Sequence, residues 1–406
     1  MKDKLRFKGL YFVHSIYQEI ESSEDNNYFI NHNNSNNNDH LILFKEKLDD
    51  LDDFASYYIS RNQLNDKNII DENNVLIEGK YVLYKDNRFY NADNHPVVAM
   101  NNDYIRYLIS NIENNVFFNH PIMPSGHISD VRSYHINVGH GNCSIIVFRN
   151  DFQWQMWMID SSAVDFINHK NYYCNIKKCL NDIKLQYNIK HISKLLITHL
   201  HFDHYNAIEK LVTDSYINSN TEVWMNIYYP CKSRKFSSTL RALINANVRF
   251  IIPTKEISND YINIFYPQTN FDETHYPPKK KINNSSVVYQ IILNGKRILF
   301  TGDLETEGWD EISDCAPYLK ETNYYCISHH GSLNGHIRSG CKYMNIDEMT
   351  LADCNNSKIQ ILMGRNHAYN GIYSPRVLND FKRIKKTEDA QHYIMIDWSN
   401  DDVEYF

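Results

Sequence analysis

From residue 144 to residue 397 the chain carries short apolar runs bounded by polar or turn-forming residues: Ser144–Phe148, Gln155–Ile159, Glu222–Tyr228, Val248–Ile252, Ile262–Tyr266, Val287–Leu293, Arg297–Thr301, Tyr324–Ser328, Ile359–Met363 and Tyr393–Asp397. Runs this short, rich in β-branched and aromatic residues, predict strands. Lys194–Thr198 (KLLIT) reads as one more, short and buried. Between them Ile176, Cys179, Leu180 and Ile183 recur at i, i+3, i+4 and i+7, which predicts a helix with one apolar stripe. A second helix is predicted to start at His204 and run to Val212. Two sheets packed face to face with helices outside bury such segments on both sides.

The first 128 residues have a different texture. His32-Asn33-Asn34-Ser35-Asn36-Asn37-Asn38-Asp39-His40 has too little apolar surface to bury and is expected to be a mobile loop. A helix is expected from Leu43 to about Asn62, a strand over Lys80–Tyr84, and a second helix where Ile105, Leu108, Ile109 and Ile112 fall at helical spacing. This pattern predicts an accessory α+β domain over residues 1–128, joined near Pro121–Asp130 to a second domain, residues 129–406. The accessory domain is expected to gate the substrate, cap the active site or bind a partner protein.

Chemistry concentrates directly after the KLLIT run. His199-Leu200-His201-Phe202-Asp203-His204 sets three imidazoles and a carboxylate within six positions. Buried, each of these groups needs a partner, and a metal ion satisfies all of them together. A turn here can aim His199 and His201 at one ion, and Asp203 and His204 at a second about 3.5–4 Å away. Ligands of this type predict a metal-activated water with a pKa lowered to about 7.

The motif resembles that of the metallo-β-lactamase superfamily, and more of the chain fits in the expected order. Trp157-Met158-Ile159-Asp160-Ser161 resembles the strand ending in an Asp that hydrogen-bonds the ligands without touching metal. Ile298-Leu299-Phe300-Thr301-Gly302-Asp303 resembles the strand carrying the metal-bridging Asp, and Cys326-Ile327-Ser328-His329-His330-Gly331-Ser332 the strand supplying the last His. Within the superfamily the chain is most similar to the ComEC-like nuclease domains, through Val138-Gly139-His140-Gly141-Asn142, Asn283-Asn284-Ser285-Ser286-Val287-Val288, Thr301-Gly302-Asp303 and His329-His330-Gly331-Ser332, with a looser match at Asn370-Gly371-Ile372-Tyr373-Ser374-Pro375. The likeness spans about residues 130 to 400.

The resemblance implies an αββα four-layer sandwich and two divalent ions, zinc or manganese. Asp203, His204, His329 and bridging Asp303 are expected to form the tight site, with His199, His201 and Asp303 holding a second ion weakly. Many members add a third His to that second site, but this chain has Asn283-Asn284-Ser285 in the region, and nearby His275 precedes Tyr-Pro-Pro and fits the motif poorly. Asp203, Asp303, Asp160 and His330 are expected to carry catalysis, His330 as substrate contact or proton donor. Asn284, Ser285, Ser332, Lys280 and Lys281 are expected to meet substrate.

The formal charge of −7 over 406 residues argues against a broad nucleic-acid-coating surface. Local basic clusters do occur: Lys279-Lys280-Lys281, Lys232 with Arg234 and Lys235, and Arg376 with Lys382, Arg383, Lys385 and Lys386. Each alone reads as solubilising charge, but three near one metal centre suit phosphate contact. The 8 cysteines contain no Cys-x-x-Cys, and no apolar run approaches the ~20 residues of a membrane span. The sequence therefore reads as a cytoplasmic phosphodiester hydrolase with nucleic acid as partner, no membrane partner, and oligomerisation left open. The competing readings are a hydrolase of a small phosphodiester or lactone, and a metal-containing sensor or scaffold subunit; a place in a multi-protein defence system is a further expectation.

Overall fold

The computed structural model describes residues 9–18, 39–46, 54–60, 63–64, 70–71, 74–115, 121–227, 233–267, 282–305, 308–309, 312, 322–336, 359–366, 368 and 372–406. These fall into two compact units, residues 1–106 with 231–237, and residues 107–230 with 238–406. The division lies inside the helix Pro96–Asn115 rather than at residue 128. Residues just before 128 belong with the second unit because Ile122 is pinned there: its N–H donates to Glu222 Oε2 (2.9 Å) and its carbonyl accepts from Lys194 Nζ.

In the first unit, Gly9–Gln18 pairs antiparallel with Asp39–Glu46 on one side and Tyr81–Lys85 on the other, within a six-stranded sheet. The helix expected over Leu43–Asn62 is absent from the described part of that span, where Asp39–Glu46 and Phe54–Ser60 are paired strands. The physical reason is alternation: Leu41 and Leu43, two apart, are both buried in one core with Tyr11, Val13 and Val82. The expected strand forms over Tyr81–Lys85 and the expected helix over Pro96–Asn115. The Asn-rich stretch lies outside the described residues up to Asn38, and Asp39 and His40 begin a strand.

The second unit holds the expected sandwich. Its larger sheet runs in the order Arg249–Ile251, Glu222–Trp224, Lys194–Leu196, Gln153–Ser161, Cys143–Asn150, Ile128–Ile136, Tyr393–Asp397, Asp402–Tyr405. The facing sheet runs Ile262–Tyr266, Val288–Leu293, Lys296–Phe300, Tyr324–Cys326, Ile359–Leu362, Ile384–Lys386. Alternate residues of each meet in one core: Ile146, Phe148, Trp157 and Ile159 from the first sheet, and Tyr289, Ile291, Ile298 and Phe300 from the second. Cys326 packs in this core and is a free thiol. The helix Tyr173–Tyr187 buries Ile176, Cys179, Leu180 and Ile183 and packs against the strand Ile128–Ile136.

Parallel pairing decides where the site falls. Gln153–Ser161, Lys194–Leu196 and Glu222–Trp224 are parallel neighbours, as are Lys296–Phe300, Tyr324–Cys326 and Ile359–Leu362. Asp160 closes the first of these strands, the His-rich turn follows the second, Asp303 follows Phe300, and His329 and His330 follow Cys326. Carboxyl ends of parallel strands are where such folds assemble sites, because the loops leaving them diverge around a common crevice. No helix among the described residues is long and apolar enough to cross a membrane.

Candidate metal centre

The His-rich turn is held from below by Asp160. Its Oδ1 accepts the Thr198 N–H (2.8 Å), Thr198 Oγ1 donates to its carboxylate (2.9 Å to Oδ2), and His204 Nδ1 donates to Oδ2 (2.8 Å). With Nδ1 committed, His204 presents Nε2 to the site. Loss of such an orienting partner typically costs about 10–100-fold in metal affinity or activity. An Asp160→Asn protein should show a drop of that size in metal affinity by competition with a chelating dye; unchanged affinity would remove Asp160 from the site's support.

Two clusters of ligand atoms form, and they share Asp303. One joins Asp203, His204, Asp303 and His330; the other joins His199, His201 and Asp303. All of these residues are buried. In the first cluster His204 Nε2 is 3.4 Å from Asp303 Oδ1, while His330 Nε2 is 3.4 Å from Asp203 Oδ2 and 3.5 Å from Asp303 Oδ2. Ligand atoms of a tetrahedral zinc shell with bonds of about 2.0–2.1 Å stand roughly 3.3–3.4 Å apart. His204 Nε2, Asp303 Oδ1 and His330 Nε2 are also buried with no hydrogen-bond partner. Buried polar atoms left in this state and converging at ligand spacing fit a divalent ion. In the second cluster His199 Nε2 and His201 Nδ1 lie 3.1 Å apart.

For the last position the structure groups a different histidine from the one expected. His330, not His329, stands with Asp203, His204 and Asp303. His330 Nδ1 donates to the Met363 carbonyl (3.2 Å), which turns Nε2 toward the two carboxylates. His329 Nε2 is 4.0 Å from Asp303 Oδ2 and accepts from Asn283 Nδ2 (3.3 Å), while its Nδ1 lies 3.6 Å from Glu305 Oε1. Asn283 Nδ2 donates to the same Glu305 oxygen (2.8 Å). Both histidines sit at positive φ, 48° and 50°, so the backbone reverses at each and sends adjacent rings to different partners. Such backbone costs on the order of 1–3 kcal/mol per residue and persists where surrounding contacts impose it.

Three of the expected substrate contacts have structural partners instead. Asn284 Oδ1 accepts the Glu305 N–H (3.0 Å), Ser285 Oγ donates to the Ile282 carbonyl (2.6 Å), and Ser332 Oγ donates to Asn334 Oδ1 (2.6 Å). All three are buried, and they brace the turns that carry the ligands. Lys280, Lys281 and His275 lie outside the described residues.

Two site residues escaped the sequence reading. Glu305 is one. The other is His140, fully buried, with Nε2 3.3 Å from Asp203 Oδ2 and its ring 4.3 Å from that of His330. Its signal was the pair of flanking glycines: Gly141 has φ +138°, and a Cβ there would lie 2.3 Å from Ser162 Oγ and 2.7 Å from the Asp203 carbonyl. The loop approaches the ligand turn too closely for any side chain at that position.

The electrostatics follow from these distances. Burial raises the Asp203 carboxyl, but the facing His140 and His330 imidazoles, 3.3 and 3.4 Å from its Oδ2, outweigh it and hold the group well below the usual carboxylate range. Asp303 is likewise held low, by His330, His204 and His329 against burial. Burial lowers His330, yet Asp303 and Asp203 push it up to about 9, and His204 is raised in the same sense. In metal-free protein these protons compete with an ion, so metal uptake should strengthen as pH rises toward about 9. A raised pKa stabilises the fold fully below the ordinary value and loses that contribution as pH climbs through the folded value. Metal-free protein should therefore melt at progressively lower temperature between pH 6.5 and about 9, and added zinc should flatten the slope. A melting temperature that rises over that window without metal would contradict the His330–carboxylate pairing.

The sequence profile of the metallo-beta-lactamase superfamily matches residues 180–322, the stretch from the helix Tyr173–Tyr187 through the His-rich turn to Asp303 and beyond. The fold is the metallo-β-lactamase fold. Among solved structures with which the chain shares similarity are a metallo-beta-lactamase fold protein, YhfI, from Bacillus subtilis (9% identity, 64% of this chain and 96% of that one, TM-score 0.39) and a diphosphatase of the PhnP family (12% identity, 48% and 73%, TM-score 0.26). A third is a point mutant of the β-hydroxylase CmlA (12% identity, 68% and 55%, TM-score 0.35). No curated protein matches the sequence significantly. In this metallo-β-lactamase fold the candidate metal centre is assembled from the ends of both sheets.

Proposed function

We propose that this metallo-β-lactamase-fold hydrolase uses two divalent ions, zinc or manganese, to cleave phosphodiesters, with nucleic acid as the substrate. The observation that carries the reading is the sharing of Asp303 by two clusters of buried ligands. Paired ions supply an activated water and a clamp for the attacking and leaving oxygens. Asp203, His204, Asp303 and His330 would hold one ion, and His199, His201 and Asp303 the other. Asp160 and the Met363 carbonyl fix which imidazole nitrogen each of His204 and His330 offers. His329, engaged by Asn283 and beside Glu305, borders Asp303 without joining either ligand cluster.

Two features favour a phosphate-bearing substrate. The strand Ile384–Lys386 borders Ile359–Leu362 with Lys386 opposite Leu362, beside Met363, whose carbonyl orients His330. Lys386 Nζ lies 5.5 Å from the centroid of the Tyr373 ring, and the Tyr373 N–H donates to the His330 carbonyl (3.0 Å). Lys386 thus sets a positive charge over Tyr373, the residue whose N–H binds the His330 carbonyl, in a chain of net charge −7. The ComEC-like nuclease domains remain the subfamily the motifs most resemble, residues 1–128 are proposed to serve a partner protein, and the setting is proposed to be cytoplasmic.

The test is incubation of metal-loaded protein with end-labelled single- and double-stranded DNA and RNA, alongside a cyclic dinucleotide and a lactone. Cleavage of the polymers is expected. Turnover confined to the cyclic dinucleotide or the lactone would replace the nuclease reading, and metal binding with no turnover of any of them would favour a sensor or scaffold.

A further inference from the structure

We propose that Arg365 binds the charged non-bridging oxygens of the substrate phosphodiester. This rests on the phosphodiesterase reading and adds to it the group that recognises the anion.

Arg365 follows Gly364, which passes directly over a ligand: a Cβ on Gly364, at φ +107°, would lie 2.9 Å from His330 Nδ1. The Arg365 side chain is 28% exposed, and its Nε donates to Asp165 Oδ2 (2.9 Å). Asp165 is fully buried and rigidly held. Its Oδ1 accepts the Ile167 and Asn168 N–H groups (3.0 and 3.2 Å), and its Oδ2 also accepts the N–H of His140 (3.1 Å), the residue whose ring touches Asp203. One carboxylate therefore positions both the His140 loop and the Arg365 guanidinium.

The manner of anchoring separates recognition from packing. A guanidinium paired with a carboxylate frequently makes two parallel bonds to it. Arg365 gives Asp165 only Nε, and its terminal Nη nitrogens make no hydrogen bond among the described residues. That leaves a fixed, partly exposed fork of N–H donors one residue from the chain that covers His330. Such a fork matches the paired oxygens of a phosphodiester, which a lysine point charge does not.

The test compares metal-loaded natural protein with Arg365→Gln and Arg365→Lys on bis(p-nitrophenyl) phosphate, a monoanion, and p-nitrophenyl acetate, a neutral ester. Charge-assisted hydrogen bonds of ordinary strength predict a loss in kcat/KM on the diester of roughly 10–100-fold for Arg365→Gln, and a smaller one for Arg365→Lys. Competitive inhibition by inorganic phosphate should weaken in parallel, with metal content and the neutral-ester rate unchanged. Unchanged diester kinetics in Arg365→Gln would overturn the proposal. So would an equal loss on both esters at full metal content, which would mark Arg365 as structural. Should Arg365→Gln not fold, Arg365→Lys decides: diester kinetics and phosphate inhibition equal to the natural protein's would overturn the proposal. If natural protein hydrolyses no phosphodiester and phosphate does not inhibit it, the phosphodiesterase reading has failed, and that is visible before any variant is made.

Discussion

Replacing Asp303 by Asn should lower phosphodiester hydrolysis by on the order of 10³-fold or more, because metal-bound water contributes several kcal/mol and each 1.36 kcal/mol is tenfold. Asp303 belongs to both ligand clusters, so its loss weakens both at once. Its carboxylate is held ionised by His330, His204 and His329. The amide of Asn offers no charge to balance an ion and leaves those imidazoles facing a neutral group. Metal content should fall together with activity, read by elemental analysis of the purified variant. A variant that kept both ions and a tenth or more of the natural rate would show that Asp303 does not bridge.

The second large effect distinguishes two adjacent residues. His330→Ala should lose an ion from the cluster with Asp203, His204 and Asp303, and with it on the order of 10²–10³-fold in hydrolysis. His329→Ala should keep its metal content, since His329 Nε2 is engaged by Asn283 and lies 4.0 Å from Asp303. Parallel metal analysis of the two variants decides. Metal loss in His329→Ala with retention in His330→Ala would restore the assignment that the motif alone suggested.

That assignment shows where sequence reasoning stops. The ligands of the His-rich turn were legible because His199, His201, Asp203 and His204 are local: four groups on one tight turn can hardly avoid a common centre. Asp160 and Asp303 were legible only through the resemblance of their strands to those of the superfamily. The choice between His329 and His330 was not. It is made by the Met363 carbonyl, 33 residues away, and by Asn283 and Glu305, all brought up by neighbouring strands. His140 lay in a motif already singled out, but only the fold shows its ring against Asp203.

The same distinction holds for the scaffold. Ser144–Phe148 and Ile262–Tyr266 were readable because short apolar runs have little choice but to be strands in a sandwich. Leu43 to Asn62 was misjudged because the alternation of Leu41 and Leu43 is brief and the strand partners are distant in sequence: Leu43 pairs with Val13 and with Tyr57. Ile128–Ile136 escaped notice since Asp130, Arg132 and Ser133 interrupt its apolar residues, yet it sits in the larger sheet between Cys143–Asn150 and Tyr393–Asp397. Small polar residues near a metal motif are ambiguous between lining a site and bracing it; Asn284, Ser285 and Ser332 each hydrogen-bond a neighbouring residue of the turns around the ligands, contacts the sequence does not show.

Two ions held by these buried residues are proposed to drive phosphodiester cleavage. The most direct measurement is hydrolysis of bis(p-nitrophenyl) phosphate during titration of metal-stripped protein with zinc and, separately, manganese. Metal-stripped protein should hydrolyse nothing, and the rate should rise until both ligand clusters are filled, with Asp203→Asn and Asp303→Asn inactive throughout. Fully metal-loaded protein with no activity on the diester or on nucleic acid, or hydrolysis that persists in both variants, would contradict the proposal.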